Sequence, residues 1–143
     1  MALDPVEIRL VRVDEKVKLQ GTSTTNPDRP VQFDYTPPLG TGDGYAGIEL
    51  LTMSFAGCVS TAVVALLKRR GKNIRSYEMR IKGIKHEEPL FLEAIEFTCV
   101  VASDDTGEDD MRQILAIAEQ ISPVWIAIRN SVKVTGGFLL NQN

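Results

Sequence analysis

The segment GIELLTMSFAGCVSTAVVALLKRRG, residues 47–71, decides the fold of this 143-residue chain. It contains no proline, and it ends in a Lys-Arg-Arg run followed by Gly71. Basic side chains complement the negative end of the helix dipole, and glycine readily adopts the left-handed conformation that ends a helix. The segment therefore predicts one long helix over residues 47–70. Because its apolar residues surround the helix axis, we expect this central helix to be buried on most sides.

A membrane span is the alternative for this helix, because residues 46–67 are long enough to cross a bilayer. The segment carries Glu49 and several hydroxyl residues, which suit lipid poorly, and strand patterns precede and follow it. Residues 1–10 lack the basic start and apolar run of a signal peptide. We therefore expect a cytoplasmic protein with no membrane contact, and membrane anchoring is the least favoured hypothesis.

Short strands are predicted on the N-terminal side of the central helix. Residues 6–19 alternate between apolar and charged side chains, as two half-buried strands do, and residues 31–35 alternate as a third strand. Residues 21–30 are polar and contain two prolines, which predicts a loop. Residues 37–44 hold two prolines and three glycines, which suit a sharp bend before the helix.

An antiparallel hairpin is predicted directly after the central helix. Residues 74–85 and 91–103 read as two strands, and the short turn His86-Glu-Glu-Pro89 joins them. In the second strand, one face carries four apolar residues: Ile95, Phe97, Cys99 and Val101. This face is expected to point into the core.

The C-terminal part predicts a second helix, a short extra helix and a last strand. Residues 104–106 offer helix caps, and a stripe of apolar residues three and four apart runs to Ile121. A serine at the N-cap and a proline at the first helical position favour a short helix over residues 124–129. Residues 132–138 suggest the last strand. The whole pattern is that of an α+β fold.

Composition indicates a soluble globular protein. The length is typical of a single domain, so residues 1–143 are expected to form one. Sixteen basic and nineteen acidic residues are interspersed, which argues against a nucleic-acid surface. One histidine and two distant cysteines offer no zinc-type spacing, and no metal or other cofactor is predicted. In a reducing cytoplasm both cysteines are expected to be free thiols.

The run Gly47-Ile-Glu-Leu-Leu-Thr-Met-Ser-Phe-Ala-Gly-Cys58 resembles the signature of the OsmC/Ohr family. In that signature a Glu-Leu-Leu run opens a buried helix, and a small residue precedes the reactive cysteine. The hairpin with its proline, the Ala-Glu-Gln helix end at residues 118–120 and Ser122-Pro123-Val124, where the family has Cys-Pro-Val, extend the resemblance over residues 31–134. It implies an OsmC-like fold and an intertwined homodimer, with two long helices between the sheets and the thiols near the interface.

The resemblance also implies thiol chemistry in oxidative-stress defence. Many members reduce organic hydroperoxides with a reactive thiolate, a peroxiredoxin-like activity, and a second cysteine then forms a disulfide with the first. Cys58 matches the first cysteine, but Ser122 stands at the second position, and a hydroxyl cannot form a disulfide. The expected scheme is a one-cysteine reduction of an apolar peroxide by Cys58, with an external thiol as reductant. The alternative is a non-catalytic homodimer that binds a small apolar ligand and holds Cys58 as core packing.

Other candidate site residues each have a structural alternative. Glu49 matches the family's Glu-Leu-Leu run, but nine residues along a straight helix place it opposite Cys58, and a first-turn acid also complements the helix dipole. The hydroperoxide-reducing branch carries a glutamate one residue earlier, where this chain has Ile48. Arg29 is the nearest candidate for the family's activating arginine, with Arg12 second. A solvated loop arginine is the alternative for Arg29, and an exposed strand residue for Arg12.

The remaining reactive or aromatic side chains are best explained as structural. Cys99 shares the apolar face of its strand, which favours a core thiol over a replacement resolving cysteine. His86 lies in a charged turn, where exposure is expected rather than catalysis or metal binding. Phe55 and Trp125 are candidates to line a pocket, but single aromatic residues at such positions are more often core.

Overall fold

The computed structural model describes residues 3–142, in two compact units. Unit 1 ends at Leu50 and unit 2 begins at Leu51. The boundary falls in the first turns of the long helix α1, Gly47–Arg69, so this helix contributes to both units. The single domain expected from the length of the chain stays a prediction.

Unit 1 contains a three-stranded antiparallel sheet in the order β1 (Ile8–Arg12), β2 (Leu19–Ser23) and β3 (Asn26–Phe33). The loop predicted for residues 21–30 is wrong, because this segment holds the end of β2, a two-residue turn and the start of β3. Its prolines are tolerated since β3 is an edge strand of this sheet. Burial also differs from the prediction, because every residue of β1 is exposed.

Asp34 organises the connection from β3 to α1. Its buried carboxylate accepts hydrogen bonds from the Thr41 hydroxyl at 2.7 Å and from the backbone N–H groups of Tyr35, Thr41 and Asp43. These bonds, with the Thr41 hydroxyl foremost, hold the pKa of Asp34 well below its usual range. Gly40 lies so close that an added Cβ would be 2.2 Å from the carboxylate Oδ1. The sharp bend predicted here therefore closes around one carboxylate.

Unit 2 contains a second three-stranded sheet, made of β4 (Ser76–His86), β5 (Phe91–Ala102) and β6 (Lys133–Leu140). β4 and β5 form the predicted antiparallel hairpin, and β6 lies parallel to β5. A parallel neighbour needs a long crossover connection, which α2 (Glu108–Ile121) and α3 (Pro123–Ile128) provide. The second helix, the short helix and the last strand are thus confirmed.

The cap of α2 differs from the prediction. Gly107 is the N-cap residue, and its backbone N–H donates to the Asp110 carboxylate at 2.9 Å. The predicted cap residues have other partners: Asp105 accepts from the Asn73 N–H at 3.0 Å, and Thr106 lies 2.7 Å from the buried Ser103 hydroxyl. The first contact ties the segment after β5 to the segment after α1, the second lies within the segment after β5, and neither caps the helix.

The predicted central helix is confirmed as α1, but its burial was overestimated. Its buried residues form one stripe with a spacing of four: Phe55, Val59, Val63 and Leu67. The inner face of β5 supplies five further core residues: Leu92, Ile95, Phe97, Cys99 and Val101. The other side of α1 stays open, with Leu51 38% and Met53 49% exposed. A three-stranded sheet covers only one face of a helix, so apolar residues on the other side of α1 are left exposed or half-buried within residues 3–142.

Candidate functional site

Cys58 lies in the middle of α1, on the flank of the buried stripe. It is half-buried and forms no disulfide. At about 100° per residue its side chain is turned by a quarter of the circumference or slightly more from the buried Val59. Phe55, one helical turn earlier, is completely buried. The thiol therefore lies at the border between the core and the open face of the helix.

An aromatic cluster of Phe55, Phe97 and Trp125 joins α1, β5 and α3. The ring centroids are 5.9 Å apart for Phe55 and Phe97, 5.4 Å for Phe55 and Trp125, and 5.6 Å for Phe97 and Trp125. Tilted and edge-on contacts at these distances are favourable for aromatic pairs. The three rings are buried, so the core interpretation of Phe55 and Trp125 agrees with the structure. The cluster also holds α3 against α1.

Ser122 lies between α2 and α3 and is only 1% exposed. Its backbone N–H donates to Ala118 at 2.9 Å, and its carbonyl accepts from the N–H of Ile126 at 3.0 Å, so both helices fix its backbone. The side-chain hydroxyl of Ser122, unlike its backbone, is not hydrogen-bonded. Among residues 3–142, Ser122 Oγ is the only buried side-chain nitrogen or oxygen atom without a hydrogen-bond partner. A buried polar atom in this state costs about 1–3 kcal/mol.

The aromatic cluster relates Ser122 to Cys58. Trp125 follows Ser122 by three residues, Phe55 precedes Cys58 by three residues, and the two rings meet edge-on. Each position is therefore about one helical turn from the same contact. The two positions that the family resemblance pairs thus lie on either side of one ring contact in unit 2.

Cys99 lies on a different flank of α1. It is completely buried, and its sulfur is 3.5 Å from the Tyr77 hydroxyl, which in turn donates to Ser60 at 2.7 Å. Burial raises the pKa of both the Cys99 thiol and the Tyr77 hydroxyl. Ser60 and Cys58 are two residues apart on the helix, which separates them by about 200° around its axis. Cys99 is thus a core thiol on the Ser60 side.

The candidate residues of unit 1 have other contacts or none that suggest chemistry. The Glu49 carboxylate accepts a hydrogen bond from the Ala46 N–H at 3.0 Å, which caps the first turn of α1. Arg29 lies in β3 and is exposed, so its assignment to a loop was wrong. The Arg12 guanidinium donates to the backbone carbonyls of Lys16, at 2.8 Å, and Glu15. The catalytic roles of Glu49 and Arg29 stay predictions.

His86 is half-buried, although the charged turn predicted exposure. Its ring stacks on Phe91 with centroids 4.7 Å apart, and its Nδ1 lies 3.1 Å from the Pro89 carbonyl oxygen. The hairpin turn brings the ring of Phe91 under the imidazole. In the part of the chain that the structure describes, no group of three or more His, Cys, Asp or Glu side chains is placed to hold a metal ion.

An open depression of about 470 Å³ lies along α1. It is lined by Ser60, Thr61, Val64, Ala65 and Lys68. Val64 and Ala65 supply the apolar part of this lining, and Lys68 is its charged residue. The depression therefore belongs to the uncovered face of the helix and is separate from the aromatic cluster.

Comparison with known proteins identifies the fold. No curated protein sequence matches the chain. A hypothetical protein from Aquifex aeolicus VF5 has a TM-score of 0.82 at 17% identity and covers 99% of each chain. An OsmC like protein from Mycoplasma pneumoniae gives 0.81 at 14% identity, over 97% of this chain and 99% of that one. The organic hydroperoxide resistance protein OhrB of Bacillus subtilis gives 0.64 at 18%, over 96% and 100%. The α+β fold with two sheets is thus shared.

The family model described as OsmC-like protein matches residues 40–136, which include α1, Cys58 and Ser122. The length and composition of α1 would allow this helix to cross a membrane, but core helices of soluble proteins pass the same test. OsmC-like proteins are soluble, so α1 is a core helix and not a membrane span. Since the match extends over most of the sequence, the chain belongs to the OsmC-like protein family.

Proposed function

We propose that this protein reduces organic hydroperoxides with the thiolate of Cys58, in the oxidative-stress defence of the cytoplasm. The observation that carries the proposal is the position of Cys58, a half-buried free thiol on α1 one turn from a buried aromatic cluster. Solved relatives of the same fold include organic hydroperoxide resistance proteins from Legionella pneumophila and Bacillus subtilis. Apolar surroundings suit a peroxide with an apolar substituent, and no metal or other cofactor is required.

The proposed reaction has two stages. The Cys58 thiolate attacks the peroxide, so that a sulfur–oxygen bond forms, the oxygen–oxygen bond breaks, and the leaving alkoxide takes up a proton to become an alcohol. Cys58 is oxidised to a sulfenic acid. An external thiol then attacks this sulfur and releases water, and a second external thiol resolves the mixed disulfide and restores Cys58.

The need for an external reductant follows from the residues that could otherwise form a disulfide with Cys58. Ser122 has no thiol with which to form a disulfide, and Cys99 is buried on the Ser60 side of α1. Cys99 is the only thiol in the sequence besides Cys58. In this scheme the sulfenic acid of Cys58 is therefore reduced by a thiol from solution.

The test is stoichiometric oxidation followed by mass spectrometry. The full-length protein receives one equivalent of cumene hydroperoxide, and peptides are analysed after trapping of sulfenic acid. We expect one trapped oxygen on Cys58 in the wild type and in Cys99→Ala, none in Cys58→Ser, and recovery on addition of a small thiol. An unmodified Cys58 under conditions that oxidise free cysteine would contradict the proposal.

We also propose that the protein is a homodimer. The most apolar 18-residue stretch of α1 has a mean hydropathy of 2.1, yet only 22% of it is buried. Apolar residues of β1 are exposed as well. Extensive exposed apolar surface is typical of obligate interfaces, and a second copy of the chain would cover it. Sedimentation velocity should give twice the monomer mass, and Met53→Glu should shift the equilibrium towards monomer. A monomer at every concentration would exclude the dimer.

A non-catalytic role in binding a small apolar ligand is the second candidate. It is favoured by the Glu49 carboxylate, which accepts a hydrogen bond from the Ala46 N–H at the start of α1, and by the depression along α1. In that case an apolar ligand should raise the unfolding temperature of Cys58→Ala and the wild type equally. Peroxide treatment would then leave Cys58 unmodified.

A further inference from the structure

The Ser122 hydroxyl has no structural explanation in the reduced protein. Buried polar groups in native structures have hydrogen-bond partners, and each exception requires a reason. Unit 2 offers a direct comparison in Ser103, which is also completely buried. Its hydroxyl donates to the Asp105 carboxylate at 3.0 Å and lies 2.7 Å from the Thr106 hydroxyl. The fold thus satisfies one buried serine and leaves the other, Ser122, without a partner.

We propose that Ser122 donates a hydrogen bond to the oxygen atom that Cys58 acquires when it is oxidised. Ser122 is then a positioning residue that holds the sulfenic acid until an external thiol arrives. This inference rests on the proposed function, because it requires that Cys58 takes an oxygen atom from a hydroperoxide.

The location of Ser122 supports this role. The contact between Phe55 and Trp125 holds the start of α3 against the part of α1 that carries Cys58. Hydrogen bonds to Ala118 and from Ile126 fix the serine backbone on both sides. A donor on a fixed backbone is preorganised, since it needs no rearrangement when the new oxygen forms.

The chemistry of sulfur explains why the donor is unpaired before the reaction. A thiol sulfur is a weak hydrogen-bond acceptor, whereas an oxygen bound to sulfur is a good one. In the first stage the peroxide transfers one oxygen to Cys58 and leaves as an alcohol, so an acceptor appears at a place where none existed. The hydrogen bond therefore belongs to the oxidised state alone, and it lowers the reactivity of the sulfenic acid towards a second peroxide.

A hydrogen bond that makes the sulfenic acid less reactive suits a one-cysteine scheme. A cysteine at position 122 would attack the sulfenic acid at once and would need no such donor. With serine there, the intermediate must survive until a thiol diffuses to it. Further oxidation to the sulfinic acid is irreversible for most proteins, so a group that slows this step preserves activity.

The experiment compares Ser122→Ala with the wild type, and Ser103→Ala serves as the matched control. Each protein is treated with one equivalent and then with excess cumene hydroperoxide, and Cys58 carrying one or two oxygens is followed by mass spectrometry. Thermal unfolding is recorded for the reduced and the singly oxidised forms. Ser122→Ala should form sulfinic acid about tenfold faster, the change that about 1.4 kcal/mol of hydrogen bonding produces.

The unfolding temperatures give a second, independent readout. Ser122→Ala should be more stable than the wild type when reduced, because an unsatisfied hydroxyl is removed, and less stable when oxidised. Ser103→Ala should be less stable in both states and should form sulfinic acid at the wild-type rate. Ser122→Thr, which keeps the hydroxyl, should restore slow sulfinic acid formation. A purely structural serine would not reverse its effect with the oxidation state.

Each outcome decides the inference. Equal sulfinic acid formation in Ser122→Ala and the wild type overturns it and leaves the proposed function intact. A wild-type Cys58 that takes no oxygen from the peroxide overturns both. If Ser122→Ala does not fold, Ser122→Gly provides the same comparison, because it also removes the hydroxyl and adds no volume.

Discussion

Replacing Gly136 by alanine should destabilise unit 2, although both residues are small. Gly136 lies in β6 beside the ring of Phe97. A Cβ added there would be 2.2 Å from Cζ and 2.3 Å from Cε1 of that ring. Carbon atoms in contact are normally about 3.5–4.0 Å apart, so the ring would have to move by roughly 1 Å or more.

The magnitude follows from the surroundings of the ring. Phe97 is only 4% exposed, and Phe55 and Trp125 lie against it, so it has little room to move. Inserting a methyl group into a packed core of this kind costs about 1–3 kcal/mol. Alanine also restricts the unfolded chain, which offsets about 0.4–1 kcal/mol. We expect Gly136→Ala to lose about 1–2 kcal/mol of the free energy of unfolding, or roughly 3–6 °C in unfolding temperature.

Gly137 provides the matched control, because it is the next residue of the same strand and an added Cβ would have no atom within 4 Å. Gly137→Ala should be neutral or stabilising by up to about 1 kcal/mol. Urea unfolding at a fixed protein concentration, followed by the fluorescence of the single tryptophan, measures both variants. Equal stability of Gly136→Ala and Gly137→Ala would refute the packing argument.

Three further predictions each concern a single side chain. Ser122→Cys should form a disulfide with Cys58 after one equivalent of peroxide, detected by mass spectrometry without reduction, and two free thiols would show that the positions do not meet. The pKa of Asp34 is lower in the folded protein, so its contribution to stability is present above about pH 4 and is lost as the pH falls further, and urea midpoints of Asp34→Asn should depend less on pH in that range. Tyr77→Phe removes the donor to Ser60 and should lower the free energy of unfolding by about 1 kcal/mol in urea, whereas the exposed Tyr35→Phe should have no effect.

Local signals in the sequence were sufficient where the structure is local. The α-helices were predicted from apolar spacing, from Gly71 after α1 and from proline at the start of α3, all of which act within one or two turns. Burial and strand pairing were less accessible. Residues 21–30 contain polar residues and prolines that predict a loop, but pairing with β2 makes part of them a strand. Strand pairing is a non-local interaction, so the residues themselves do not reveal it.

For the candidate site, too, the sequence predicted which residues belong to it but not which side chains they contact. The family signature predicted Cys58, Ser122 and Glu49 as candidate site residues, since motif positions can be read directly from the sequence. The partners of these side chains could not be read there. Glu49 accepts a hydrogen bond from Ala46, Cys99 is held by Tyr77 on the Ser60 side of α1, and the hydroxyl of Ser122 has no partner. Each of these facts depends on distances between side chains in the folded protein.

The sequence by itself determined the family, the order of helices and strands and the presence of a serine at position 122. These are properties of residue type and of spacing along the chain. Only the tertiary structure decided which stripe of α1 is buried, which rings surround its middle and which buried hydroxyl is unsatisfied. The physical reason is that burial and hydrogen bonding depend on groups brought together from distant segments, and apolar residues all around a helix do not indicate which of them a sheet will cover.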